Sequence, residues 1–183
     1  MKIILASNSE RRKDLLNKAG VKFTIVPSTT PEREILKGES VEDYAKNLAL
    51  TKAQSVFEKT KNIVIGADTI VVLNDKILKK PKSRLDAKQM LLSLSNSTHK
   101  VITGYAVICK DKVISNYDET LVTFNDLTTE VINSYIDSGL WKGKAGGYGI
   151  QDGYPLVKEI VGDYDNVVGL PTIKILNVLA ELK

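Results

Sequence analysis

The chain has 183 residues, of which 43% are hydrophobic and 26% are charged, values typical of one globular domain with a real core. Its net charge of +4 would suit a polyanionic ligand, but Lys and Arg are scattered, so nucleic-acid binding is not indicated. A single cysteine excludes an intrachain disulfide, and no apolar run approaches the roughly 18 residues of a membrane span. The apolar start at residues 3–6 is too short for a signal peptide, so we expect a cytoplasmic protein with no membrane partner.

The beginning of the first helix has features of an anion site. Residues 2–6 are predicted to form a buried strand, and a helix follows from an N-cap at Ser9 to a left-handed cap at Gly20. Arg11 and Arg12 lie in its first turn, where unpaired amides make each cation unfavourable by roughly 0.3–1 kcal/mol. A bound phosphate would reverse that sign, so we favour an anion site. Two surface arginines paired with carboxylates are the alternative.

A half-buried strand and a charged loop come next. Phe23 and Ile25 alternate with polar residues in the segment 21–27, which predicts one buried face and one wet face. Residues 28–40 have no sustained apolar period and are interpreted as a loop. Its carboxylates could face the first arginines or a cation, although a solvated charged loop is the commoner case.

The longer helix that opens at Ser40 carries a lysine within an apolar stripe. Apolar residues recur at helical spacing from Val41 to Phe57. Lys52 falls in that stripe, four residues after Leu48. Its ammonium group must therefore either reach solvent along the side-chain stem or meet an anion.

An acid interrupts the most apolar stretch of the chain. Residues 62–73 consist of two β-branched runs on either side of the sequence Gly-Ala-Asp-Thr at 66–69, a pattern typical of a strand buried on both faces. A carboxylate is costly to bury unless it is paired, hydrogen-bonded or bound to a metal. Asp68 therefore indicates a functional group, and an Asx-type turn in a tight bend is the alternative.

The remainder of the chain mixes hairpins and helices, which indicates an α/β or α+β fold with a mixed sheet. The predicted elements are helices over 85–94, from a cap at Thr128 or Thr129 to Gly139, and over 171–182, strands over 101–109, 113–124 and 156–161, and a hairpin arm at 76–78. Ile173 is predicted on the buried face of the last helix. Lys79 and Lys80 are either exposed strand-end lysines or ligand cations.

Two further features carry weaker signals. Residues 143–149 contain four glycines, which would let backbone amides approach a ligand, although a flexible loop has the same composition. His99 is the only histidine, and no cysteine cluster accompanies it. A zinc site and a Ser-His-Asp triad are therefore not indicated, and we interpret His99 as structural.

Four blocks of sequence stand out once the chain is read as a whole. They are LASNSERR at 5–12, IGADT at 65–69, KAGGYGIQ at 144–151, and GDY, Asn166 and VGLP within 162–171. In this order and spacing they resemble the Maf family of nucleoside triphosphate pyrophosphatases, over nearly the whole chain. The resemblance implies a single domain over 1–183, an elongated mixed β-sheet flanked by helices, and two lobes with a central cleft. It also implies a cytoplasmic homodimer that hydrolyses dTTP and UTP to the monophosphate and pyrophosphate with a divalent cation, magnesium or manganese.

The resemblance assigns roles to individual residues. Asp68 matches the catalytic base, and Asp68 and Glu32 match the metal ligands. The phosphate-binding positions are Ser7, Ser9, Arg12, Lys52 and Lys80, and those that mark the dTTP/UTP branch are Arg11, Thr69 and Gln151. Glu34 competes with Glu32 because of the loop length.

Two positions depart from the family pattern. Glu10 stands where the family usually has proline, and Lys79 stands where it has glycine. The main rival function is a nucleotide-sensing regulator of cell division that binds without turnover. A basic nucleic-acid-binding protein is the second rival.

Overall fold

A computed structural model, which describes residues 2–182, confirms the mixed α/β class. In chain order the elements are β1 (Ile3–Leu5), α1 (Glu10–Lys18), β2 (Phe23–Ile25), α2 (Val41–Thr60), β3 (Ile63–Leu73), β4 (Lys76–Leu78), α3 (Arg84–Leu94), β5 (Thr98–Ile108), β6 (Val113–Phe124), α4 (Thr129–Ser138), a 3₁₀ turn (Ala145–Gly147), β7 (Val157–Val161), α5 (Tyr164–Val168) and α6 (Thr172–Ala180). Within residues 2–182, no helix combines the length and apolar character that a bilayer crossing needs.

The strands form one mixed sheet in the order β2-β1-β3-β5-β6-β7, and β4 pairs with β3 outside this path. Strand β1 is parallel to both β2 and β3, with Leu5 opposite Ile25 and Ile65. Strands β4 and β7 pair antiparallel to β3 and β6, respectively. The parallel part needs crossover helices, which α1 and α2 supply.

The described chain groups into two compact units. The first contains residues 2–69, 102–118 and 169–182, and the second contains residues 70–101 and 119–168. The chain passes between the units within β3, β5 and β6, and again after α5. The single domain and the central cleft expected from the resemblance stay predictions.

Strand β3 runs without interruption through the central apolar stretch, so the alternative of an Asx-type bend at Asp68 is wrong. Its residues from Val64 to Asp68 are all buried, and Asp68 is only 8% exposed.

Gly66, two residues before Asp68, allows close packing of a helix on this strand. A Cβ on Gly66 would lie 2.5 Å from the Ala49 carbonyl oxygen and 2.9 Å from the Ala53 Cβ. Helix α2 therefore packs almost against the backbone of β3.

Most predicted helix caps are present, and several expected details are corrected. Ser9, Ser40 and Thr128 each accept a hydrogen bond from a backbone amide of the first turn. The buried face expected for Ile25 is wrong, because this edge-strand residue is 40% exposed. Ile173 is also exposed, and Ile175 occupies the core instead.

The close packing of α2 on β3 gives a stability prediction for Gly66→Ala. The added methyl would meet backbone atoms of α2, so the variant should lose about 1–3 kcal/mol of unfolding free energy, the usual cost of overpacking. Urea unfolding measures the change. Gly20→Ala is the control, because nothing lies within 4 Å of the added Cβ and only its positive φ of 71° is strained. A smaller loss for Gly66→Ala than for Gly20→Ala would contradict close packing here.

Candidate active site

An ion-pair cluster within the first unit contains the buried acid of β3. The Lys52 ammonium group, from the middle of α2, donates hydrogen bonds to a carboxylate oxygen of Asp68 and to Glu32 Oε1, the latter at 3.0 Å. The side chains of Lys52 and Asp68 are only 17% and 11% exposed. The anion that Lys52 meets is therefore a pair of protein carboxylates, rather than solvent at the end of a snorkelling stem.

The two carboxylates fit a divalent cation. Asp68 and Glu32 both reach one cationic nitrogen, so their oxygens already converge on a single point of positive charge. Magnesium in proteins commonly takes one or two carboxylates, and phosphate oxygens and water complete its shell. Residues 2–182 contain no group of three or more His, Cys, Asp and Glu side chains suited to a metal. A divalent ion at Asp68 and Glu32 would take its remaining ligands from water or from phosphate oxygens.

The loop that carries Glu32 is anchored to α2 rather than loosely solvated. The Glu39 carboxylate accepts hydrogen bonds from Arg33 at 2.7 and 2.5 Å, and from the Leu36 amide at 3.0 Å. Asn47 donates to the same carboxylate at 2.9 Å, and the Tyr44 hydroxyl donates to the Arg33 carbonyl at 2.6 Å. Glu32 precedes Arg33, so this anchor holds its backbone beside α2.

The contacts of Glu39 also affect its ionisation. They lower the pKa of the Glu39 carboxyl to about 2, chiefly through the hydrogen bond from Arg33. The charged form of Glu39 is therefore the one that the loop stabilises.

Arg12 is held by three neutral oxygens. Its guanidinium group donates to the Gly169 carbonyl at 2.7 Å, to Ser7 Oγ at 3.2 Å and to Thr69 Oγ1 at 3.1 Å. Burial lowers the pKa of Arg12, and the nearby charge of Asp68 partly opposes that shift. These direct partners differ from the carboxylates of the alternative interpretation, and they leave the net charge of Arg12 for an anion.

The residues around Arg12 link the start of α1 to β3. The Ser9 side chain accepts from the Arg12 amide at the N-cap, and the Ser9 amide donates to Ser7 Oγ at 3.2 Å. Thr69, next to Asp68, shares a 2.8 Å hydrogen bond with Thr103 of β5. The structure thus brings together residues 7, 9, 12 and 69 in the unit that also holds Lys52, Asp68 and Glu32. Arg11 follows the N-cap of the same helix and raises the positive charge there.

The two remaining predicted residues belong to the second unit. Lys80 is exposed and follows β4, and the Lys79 carbonyl accepts from the Gly146 amide at 3.2 Å. Gln151 is exposed and follows the glycine-rich segment, in which Gly146 and Gly147 have φ values of 71° and 72° within a 3₁₀ turn. This segment is thus a folded turn that only glycine forms readily.

His99 lies in the core of the second unit, within a strand that begins three residues earlier than predicted. Its Nε2 is 2.6 Å from the Tyr148 hydroxyl, and its ring packs edge-on against Phe124. Burial lowers the pKa of His99 to about 4. These contacts agree with a structural role.

Sequence reasoning missed several residues that support the site. The Gly169 carbonyl and the Thr103 hydroxyl hold Arg12 and Thr69, but a backbone oxygen and one polar residue in an apolar strand give no distinct pattern. The sequence pattern places Lys144 in the glycine-rich block and predicts no partner for it. In the structure it forms a buried ion pair with Asp152.

The family model described as Maf-like protein matches residues 2–182. The chain belongs to the Maf family. Among relatives of this Maf protein, a dTTP/UTP pyrophosphatase of Bacillus anthracis is 48% identical over 182 residues, covering 98% of this chain and 95% of the relative. One of Bacillus cereus is 49% identical, covering 98% and 89%.

A solved structure supports the Maf fold. The structure of a HAM1 protein from Coxiella burnetii superposes with a TM-score of 0.56 and covers 99% of each chain. At 13% sequence identity this likeness concerns the fold alone.

The ion-pair cluster predicts how Lys52→Met changes stability. Without the ammonium group, the buried Asp68 carboxylate loses the cation that donates to it and its repulsion from Glu32 rises, so unfolding free energy should fall by about 1–3 kcal/mol, less than for a fully buried pair. Urea unfolding in EDTA measures the loss. Addition of millimolar Mn²⁺ should raise the unfolding free energy of the variant more than that of the wild type.

Lys46→Met is the matched control on the same helix. Lys46 pairs with Asp43 at 2.8 Å in an exposed i,i+3 geometry, so its loss should cost less than about 0.5 kcal/mol. Equal, small effects in the two variants would show that Lys52 does not compensate the carboxylates.

Proposed function

We propose that this Maf protein hydrolyses nucleoside triphosphates, dTTP and UTP in particular, to the monophosphate and pyrophosphate. The observation that carries the proposal is the convergence of Asp68 and Glu32 on one cationic group, next to a buried strand and an arginine at a helix start. The names of the relatives, dTTP/UTP pyrophosphatases at 48% and 49% identity, support the same reaction. The roles of the individual residues are part of the proposal.

In this mechanism, water attacks the α-phosphorus and pyrophosphate leaves. Asp68 accepts the proton of the attacking water as general base, which raises the nucleophilicity of the oxygen. A magnesium or manganese ion held by Asp68 and Glu32 would neutralise phosphate charge and orient the reacting groups. Lys52 supplies positive charge beside both carboxylates, which limits their mutual repulsion.

Phosphate binding is assigned to cations, hydroxyls and free amides. Arg12, Ser7 and Ser9 present a guanidinium group, hydroxyls and the amides of a helix N-terminus in one place, a combination suited to phosphate. Lys80 adds a further cation by resemblance. Because phosphoryl transfer involves little covalent chemistry by the protein, such charge stabilisation should supply most of the rate.

Base selection is assigned to Arg11, Thr69 and Gln151 by resemblance. A glutamine amide offers a donor and an acceptor, so it can pair with the O4 and N3 edge of uracil or thymine. Cytosine presents the reversed pattern, a donor at N4 and an acceptor at N3, so an amide held in the orientation that suits uracil would be left unpaired. A homodimer in the cytoplasm, also taken from the resemblance, completes the proposal.

Replacing the proposed base should separate binding from turnover. Asp68→Asn should keep the fold and nucleotide binding but lose turnover by at least about 100-fold, the lower range for removal of a general base. Pyrophosphate release from dTTP and UTP measures turnover, and calorimetric titration with UTP measures binding.

Two outcomes of this experiment decide against the proposal. Near wild-type turnover in folded Asp68→Asn would refute the role of Asp68. Nucleotide binding without pyrophosphate release in the wild type would favour the nucleotide-sensing regulator. Asp86→Asn, an acid at the start of α3, is the control and should release pyrophosphate at the wild-type rate.

Substrate choice gives a separate prediction. The wild type should turn over dTTP and UTP faster than ATP or GTP, with CTP intermediate or poor. An unpaired polar group costs roughly 1–3 kcal/mol, so Gln151→Ala should reduce the UTP:CTP ratio of kcat/KM by about 5- to 150-fold. A preference of the wild type for GTP would rule out base reading by Gln151. An unchanged UTP:CTP ratio of kcat/KM in Gln151→Ala would rule it out as well.

A further inference from the structure

The side chain of Gln151 lies over a glycine that leaves no room for a side chain of its own. A Cβ at position 149 would be 2.8 Å from Gln151 Nε2, 2.7 Å from Asp152 Oδ2 and 2.9 Å from Lys144 Nζ. All three distances are shorter than real Cβ atoms tolerate. The missing side chain of Gly149 is therefore what lets the Gln151 carboxamide occupy this position.

Two of these three neighbours belong to a buried network that cannot easily move. Lys144 donates to the two oxygens of Asp152 at 2.7 and 2.5 Å, and the Tyr135 hydroxyl donates to Asp152 Oδ2 at 2.6 Å. The side chains of Lys144 and Asp152 are only 11% and 6% exposed. Separating this pair would leave a buried charge uncompensated, so the pair is a rigid support.

The same network also fixes the backbone on both sides of Gln151. The Gly149 amide donates to the Tyr135 hydroxyl at 3.1 Å, so one hydroxyl joins Gly149 to Asp152. Asp152 directly follows Gln151, and the Asp152 amide donates to the Gly149 carbonyl at 3.2 Å. The chain from 149 to 152 is thus closed into a turn around Tyr135.

Gln151 itself is the exposed member of the group. Within residues 2–182, none of the hydrogen bonds involves its carboxamide. A new methyl at position 149 would consequently displace the exposed carboxamide of Gln151 and would also press on Asp152 Oδ2 and Lys144 Nζ of the buried pair. The backbone at Gly149 is outside the left-handed region, so alanine adds this contact without backbone strain.

We propose that Gly149 is a specificity-determining residue and that Tyr135 is a positioning residue, both acting through the carboxamide of Gln151. Gly149 provides the space in which the carboxamide lies. Tyr135 holds the turn that carries Gln151. The inference rests on the proposed function, in which that carboxamide reads the uracil or thymine base.

The experiment compares base discrimination in three variants. The UTP:CTP ratio of kcat/KM should fall at least about fivefold in Gly149→Ala and in Tyr135→Phe, because a displaced amide no longer pairs with the base. Tyr154→Phe is the matched control. The Tyr154 ring packs against Tyr135 at 5.0 Å between centroids, but the Tyr154 hydroxyl has no bond to Asp152. That control should keep the wild-type ratio.

A merely structural role would lower kcat/KM for both nucleotides and leave their ratio unchanged. The double variant Gly149→Ala/Gln151→Ala should discriminate no worse than Gln151→Ala alone, because both changes remove one interaction. The ratio of UTP to CTP affinities, measured on an Asp68→Asn background, gives the same comparison without turnover.

The outcomes separate this inference from the function on which it rests. If Gln151→Ala abolishes discrimination but Gly149→Ala and Tyr135→Phe retain it, the positioning inference is wrong and the proposed function stands. If Gln151→Ala itself leaves the ratio unchanged, base reading by Gln151 is wrong, and the inference falls with it.

Discussion

The first unit depends on one close approach between a helix and a strand. Because Gly66 has no side chain, α2 reaches the backbone of β3 through Ala49 and Ala53. Lys52, between these two alanines in sequence, then reaches Asp68 on the same strand. A buried carboxylate is tolerable only with such a partner, so the packing of the core and the electrostatics of the site are a single constraint.

The charges of the site are arranged in layers of decreasing burial. Asp68 lies within the sheet, Lys52 lies against it, and Glu32 is more than half exposed on an anchored loop. Arg12 adds positive charge through a side chain whose direct partners are all neutral. Lys52 therefore compensates the two carboxylates, while the positive charge of Arg12 is not matched by a directly bonded carboxylate and suits a phosphate ligand.

The sequence predicted the elements with strong periodicity or caps, including α1, α2, the β3–β4 hairpin and α4. It also predicted that a buried Asp68 would need a partner and that Lys52 would reach either solvent or an anion, because burial of a charge is a local property of the pattern. It did not predict that these two residues pair with each other, since that depends on the register of α2 on β3. The contacts of Arg12 with Gly169 and of Lys144 with Asp152 were missed for the same reason, because they depend on tertiary geometry and not on a local sequence pattern.

Helix α2 carries both the anchor of the loop and the cation of the site, and its rotation about its own axis is therefore fixed at both ends. Tyr44 and Asn47 hold the loop, while Lys52 and Ser55 contact Glu32 and Ser28 further along. One inserted or deleted residue turns all that follows by about 100°, since an α-helix has 3.6 residues per turn. Related chains should therefore vary in length within the loops and keep the spacing from Tyr44 to Ser55 unchanged.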